Sequence, residues 1–263
     1  MSASVREAEI GVALEPRCAT CLGTLAFFLF YHDWQFDAAE ARFDEALRID
    51  PTLEGVRPSY AMLLAVTGRP ARAVAEVDIG LARQPYRLSW LIIRASALYF
   101  DRRYEEAVAT ADRALAISNT NAGAWEWRSR ALFLLGRGDD AVMSVVQTLP
   151  PDEAPRIDRA LREGGVDDAL RMLLSLTDNL RGRVEHAWRR ATWRALLGDT
   201  EGALDELERA CEYRRFNAIN LGADPAFDAL RLHPRYRALL DRMRLSPYFQ
   251  PPPALPVTRP RER

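Results

Sequence analysis

The chain has 263 residues, 48% of them hydrophobic and 28% charged, enough to bury a substantial core in one or two domains. Its 36 basic side chains are all Arg and face 37 acidic ones, for a formal net charge of -1, so there is no global basic field of the kind that non-specific nucleic-acid binding requires. No basic segment followed by an apolar core and a small-residue cleavage site opens the sequence, and the apolar run Leu22 to Tyr31 is about half the roughly 20 residues needed to span a bilayer; the expectation is a cytoplasmic protein with neither membrane nor nucleic acid as a direct partner.

In chain order, Val5 to Leu14 suit a helix that Pro16 stops, and residues 1–19 read as an N-terminal cap, the second helix of a repeat whose first helix is missing. Cys18 and Cys21 form a C-x-x-C. With Cys211 the cysteines number three, no second pair or nearby His completes a zinc set, and no strand-then-helix context marks a redox site, so ordinary packing is expected of them.

The stretch that organises the chain is Phe36 to Pro51, FDAAEARFDEALRIDP. Ala39, Phe43 and Ala46 put a narrow stripe on one helix face, because residues three and four apart lie side by side, and Pro51 follows as a stop. The stripe recurs as Ala73, Val77, Gly80 and Pro85, then as Ala107, Ala111, Ala114 and Asn119, each set displaced by 34 residues (39 to 73 to 107). A fixed spacing of this size is the signature of a helical-repeat array.

Four well-formed repeats are expected over residues 20–155, turning at Asp33-Trp34, at Gly68-Arg69-Pro70, at Asp101-Arg102 and at Gly136 and Gly138. Two looser ones follow over 156–222, outlined by Ala160, Gly164, Val166, Ala169 and Leu173 and then by Ala191, Gly198, Ala203, Leu207 and Ala210. Asp224-Pro225-Ala226-Phe227 and a helix from His233-Pro234 give a C-terminal helical cap over 223–245, which an open solenoid end requires. Residues 246–263 are proline-rich and aperiodic and are expected to be an extended, disordered tail.

These residues together resemble the tetratricopeptide repeat family. Phe36, Ala39, Phe43, Ala46 and Pro51 carry the first repeat, and Ala61, Leu64, Gly68, Ala73, Val77 and Pro85 the second. Ala95, Leu98, Tyr104, Ala107 and Ala114 carry the third, and Trp125, Gly136 and Ala141 the fourth, while Phe27 and Thr148 depart from the pattern. The resemblance implies an all-α, right-handed superhelical solenoid. The succession FYHDWQFDAAEARFDEALRIDP with DPAFDALRLHPRYRALLDRM further resembles the repeat half of bacterial multidomain signalling and regulatory proteins, in which such arrays follow a winged-helix, cyclase or kinase domain.

The family also implies a binding wall on the first helices. The matching positions are Phe28, Tyr31 and His32; Met62; Tyr99 and Phe100; Trp127 and Arg130; Arg159; and Trp188 and Arg189, a lining of aromatic and Arg side chains of the type that anchors protein interfaces. The expected partner is an extended peptide or a helix of another protein, with the chain's own Pro247-Tyr248-Phe249-Gln250-Pro251 as an internal candidate. An alternative is a sensory or regulatory subunit acting with a separate DNA-binding, cyclase or kinase effector; an enzyme is the weakest reading. Gly136-Arg137-Gly138 and Gly164-Gly165 read as helix turns, His32, His186 and His233 are scattered, and Asp139-Asp140 and Asp167-Asp168 suit helix starts, so no catalytic residue, cofactor or metal is expected.

Overall fold

The computed structural model describes residues 3–179, 186–213 and 216–249. The chain is all-α, a solenoid of helix–turn–helix repeats. Its helices are α1 (Ala3–Leu14), α2 (Ala19–Tyr31), α3 (Phe36–Ile49), α4 (Arg57–Val66), α5 (Pro70–Arg83), α6 (Leu88–Phe100) and α7 (Tyr104–Ile117). They continue as α8 (Ala122–Leu134), α9 (Gly138–Val146), α10 (Ala154–Asn179), α11 (Ala187–Leu196), α12 (Thr200–Glu212) and α13 (Pro234–Arg242), with 3-10 turns at Phe216–Asn220, Pro225–Leu230 and Ser246–Tyr248. Gly165 (φ 73°, ψ -165°) breaks α10 into two halves, so the Gly164-Gly165 pair is the turn that its position in the repeat implies.

Each hairpin turn is built on one backbone device. Trp34 (φ 54°), Gly68 (φ 80°), Arg102 (φ 60°) and Gly136 (φ 73°) are left-handed, and they stand 34 residues apart. Just after three of them the N–H groups of Arg69, Arg103 and Arg137 donate to the carbonyls of Leu64, Leu98 and Leu132, closing the end of the preceding helix as a Schellman cap does. Asp199 repeats the bond to Arg194 after Gly198 (φ 74°). Trp34 and Arg102 hold a left-handed conformation that glycine adopts freely, at a cost of about 1–2 kcal/mol each.

Packing follows the small-residue stripe. Ala39, Ala46, Ala73, Ala107, Ala111 and Ala114 are fully buried, and Gly80 admits the fully buried Trp90, whose ring lies 2.5 Å from where a Cβ on Gly80 would stand. A second, polar seam runs alongside. Tyr60, Arg94 and Arg128 also stand 34 apart, and each reaches to the second helix of the preceding repeat: Tyr60 donates to Asp44 (2.6 Å), Arg94 to Asp78 (2.7 Å) and Arg128 to Asp112 (2.7 Å). Arg94 and Arg128 then reach forward to Thr110 (2.8 Å) and Ser144 (2.5 Å), so one guanidinium ties three helices together. The fully buried Arg190 does the same between the Leu174 carbonyl (2.9 Å) and Glu206 (2.8 Å).

The sequence-based expectation for Cys18 and Cys21 is corrected: the two are joined in a disulfide. Cys18 caps the N-terminus of α2 and Cys21 lies one turn on, which brings their Cα atoms to 5.2 Å, a separation that a disulfide bridges. Cys211 is free and buried. Within the tail expected over 246–263, residues 246–249 form a 3-10 turn and contacts described below; 250–263 lie outside the described residues.

Candidate interaction surface

The first helix of each repeat lies on the inner side of the array, where α4 packs on α6 and α6 on α8. Of the residues nominated for a binding wall, Tyr99 and Phe100 on α6, Trp127 and Arg130 on α8, and Trp188 and Arg189 on α11 are brought into one region. The Trp127 ring lies 5.5 Å from both Tyr99 and Phe100, and the Arg130 guanidinium sits 5.2 Å from the Tyr99 ring centroid and 5.5 Å from that of Trp127.

That region is covered by the chain itself. The Asp224 carboxylate, fully buried, accepts from the Tyr99 hydroxyl at 2.7 Å and from Arg130. It also caps the Pro225–Leu230 turn by accepting from the Ala226 N–H at 3.1 Å. Phe227 then stacks edge-on against Trp188, with centroids 5.2 Å apart, and Asp228 pairs with Arg102 at 2.6 Å. The Asp-Pro-x-Phe sequence suits this position: the acid caps the turn and binds Arg130 through different oxygens, Pro225 fits the first turn, and Phe227 is delivered to the wall.

The expectation that all the nominated residues form an open lining therefore needs correction. Met62, Tyr99, Phe100, Arg130 and Trp188 are buried, Met62 within the wholly buried face of α4 and the others beneath or beside the 216–249 segment. Phe28, Tyr31, Trp127 and Arg189 are half-buried, and His32 and Arg159 are exposed. Phe28, Tyr31 and His32 cluster on α2 with Phe27, which is 37% exposed; Phe27 lies 4.6 Å from Tyr31, and Phe28 lies 5.4 Å from His32. Arg159 stands apart on α10, in a cleft of about 410 Å³ shared with Arg156, Glu163, Asp168 and Arg171.

The electrostatics of the covered region are those of a network built to stay charged. Burial alone would discharge Arg130, but Asp224, Tyr99 and Glu126 outweigh it and push its pKa further up. Burial likewise works against Glu126, whose carboxylate is nonetheless held below its usual range by Arg189 (2.6 Å) and Arg130 (3.5 Å). Burial raises the Tyr99 hydroxyl well above its ordinary value, so it serves as a donor. Tyr31 is also raised, by burial opposed by a hydrogen bond with Ser59.

Neither a protein-family model nor a curated protein matches the sequence. Among solved structures, the chain is similar to TTC0263, a thermophilic TPR protein of Thermus thermophilus, at 20% identity over 81% of this chain and 95% of that one, with a TM-score of 0.48. It is also similar to PilW, a type IV pilus biogenesis factor, at 16% identity over 89% of this chain and 87% of that one (TM-score 0.48), and to MamA at 15% identity over 75% and 94% (TM-score 0.39). The fold assignment rests on the register of this chain's own helices.

Asp224, Phe227 and Asp228 escaped the sequence reading as site residues. Their one signal is an acid inside an otherwise apolar run, a residue that needs a cation once buried. Beyond the inner wall, Tyr248 donates to Asp37 and packs edge-on to Phe36 at 5.9 Å, while Phe249 lies over Gly222 and 5.6 Å from the Arg231 guanidinium. Among the described residues no helix is long and apolar enough to cross a membrane.

Proposed function

We propose that the chain is a non-catalytic protein-interaction scaffold that takes an extended peptide or a helix of a partner on the aromatic face of α2. The observation that carries this reading is the division of the aromatic first-helix residues into two sets. Tyr99, Phe100 and Trp188 are buried, whereas Phe27, Phe28 and His32, with Tyr31 packed behind them and its hydroxyl bonded to Ser59, form a contiguous patch that stays partly exposed. Large amphipathic rings beside a polar tip are the side chains that concentrate binding energy in interfaces.

The Pro247-Tyr248-Phe249 stretch is read as a self-occupying segment. Its described contacts, Tyr248 with Phe36 and Asp37, fall on α3, a second helix, and so lie outside the first-helix wall.

The test is affinity capture followed by mass spectrometry, repeated with Phe27→Ser and His32→Ala combined. Loss of a specific partner with unchanged helix content supports the assignment. Full recovery of the partner by that variant, together with loss in one that alters Arg159 and Arg156, overturns it.

A further inference from the structure

We propose that Cys18 and Cys21 form a reversible thiol–disulfide exchange site for a small or protein dithiol. The bond encloses only Ala19 and Thr20 and lies within the first turn of α2. It joins no two helices and crosses no packing seam, and so short a loop removes little freedom from the unfolded chain. A bond of this kind is poorly placed as a structural staple. Both cysteines are half-buried and reachable, in contrast to Cys211, which is fully buried and whose thiol is pushed up to about 12 by burial, with Arg242 opposing.

Two groups supply chemistry to the pair. The Cys18 sulfur accepts from the Cys21 N–H at 3.1 Å, one of the first-turn donors that have no partner within the helix, so the charge of a Cys18 thiolate is met as it forms. The Glu15 side chain brings a carboxylate oxygen within 4.8 Å of both sulfurs, where it can take the proton from a Cys21 thiol. This acid comes from the residues before the helix, independently of the cap.

In the reductive direction, a thiolate of the external dithiol attacks the Cys21 sulfur. The Cys18–Cys21 bond breaks, and its electron pair leaves on Cys18. The second thiol of the reagent then displaces Cys21 from the mixed disulfide and departs as a cyclic disulfide. The protein has gained two electrons and two protons, and the reagent has lost them. Oxidation runs the same steps backwards against an oxidised dithiol, with Glu15 accepting the Cys21 proton.

The experiment equilibrates the native full chain with reduced and oxidised dithiothreitol across a range of ratios, alkylates the still-folded chain at neutral pH with maleimide in excess over all thiols, and counts the adducts by intact mass. The expected result is a single transition between no adduct and two, with Cys211 silent under native conditions and the melting temperature unchanged. Cys18→Ser treated with oxidised glutathione should hold a mixed disulfide on Cys21, the sulfur that carries the intermediate. Glu15→Gln should slow re-closure several-fold without altering the melt. A bond that opens only when the protein is unfolded, a reduction that melts the helices, or a reduced pair that does not re-close overturns the proposal. So does a Cys18→Ser variant that captures no glutathione.

Discussion

Asp224→Ala is the substitution on which the account of the inner wall can be judged. Asp224 is fully buried and accepts from Tyr99 at 2.7 Å, from Arg130, and from the Ala226 N–H at 3.1 Å. Its removal leaves the Arg130 guanidinium, 5% exposed, with Glu126 at 3.5 Å as its remaining carboxylate, and takes from the Tyr99 hydroxyl the acceptor of its proton, leaving it only the Arg130 donor at 3.5 Å. Breaking one side of a buried pair costs about 3–5 kcal/mol. The bond lost by the Tyr99 hydroxyl belongs to the same network and so overlaps that figure rather than adding to it. The expected loss is about 4 kcal/mol, or a fall of roughly 8–16 °C in melting temperature for a domain of this size. Urea titration and thermal melts followed by circular dichroism measure it. A companion, Asp224→Leu with Arg130→Met, removes both charges and should recover most of the loss, since an apolar pair of similar volume replaces the ions without a desolvation penalty. A single variant within about 1 kcal/mol of the parent, or a double variant no better than the single, refutes the claim that this pair docks the C-terminal segment.

Other positions separate the remaining arguments. Gly80→Ala should lower stability by about 1–3 kcal/mol through overpacking against Trp90, although a helical Gly→Ala change ordinarily gains about 1 kcal/mol; a higher melting temperature would contradict the close approach. Trp34→Gly should lose about 3–5 kcal/mol because the ring is buried, whereas Arg102→Gly should be neutral or stabilising, trading about 1–2 kcal/mol of left-handed strain against an exposed ion pair worth at most about 1; equal losses at the two sites would sink the shared-turn argument. Glu126 is held below the ordinary carboxylate range in the folded chain, so as pH falls the unfolded state takes up its proton first. Its contribution is complete above about pH 5 and lost as pH falls below about 4, so urea midpoints should drop over that interval and drop less in Glu126→Gln; identical pH profiles would remove Glu126 from the network.

The architecture was legible because the repeat imposes its period on several kinds of residue at once. Ala39, Ala73 and Ala107 meet the same packing demand, and Trp34, Gly68, Arg102 and Gly136 the same backbone demand. The polar seam was equally periodic, with Asp44, Asp78 and Asp112 spaced 34 apart, yet an Asp on a helix surface reads as solvated until its partner is known to reach across from the next repeat. The Cys18–Cys21 bond was hidden by the odd cysteine count, which argues against a disulfide framework but says nothing about a single pair closed within one helical turn. The inner wall was misjudged for a different reason. Family position identifies which side chains face inward, but what lies over them is decided by a contact such as Tyr99 to Asp224, across 125 residues, that no local pattern encodes.

That contact also constrains where a partner can act. The segment that follows α12 buries Ile219, Leu221, Phe227, Leu230, Tyr236, Leu239, Leu240, Met243 and Leu245. At about 1.5–3 kcal/mol for each large apolar side chain, their burial exceeds about 10 kcal/mol even after discounting contacts within the segment itself. A nanomolar partner supplies about 12 kcal/mol in all, and the whole domain is stable by about 5–15. A peptide that had to evict this segment would spend nearly all of its affinity on doing so, and would unfold the cap in the process. The inner face of α6, α8 and α11 is therefore better understood as core that happens to lie in a groove, while the α2 patch, with Phe27 and His32 already exposed, is the surface that the proposed partner would cover.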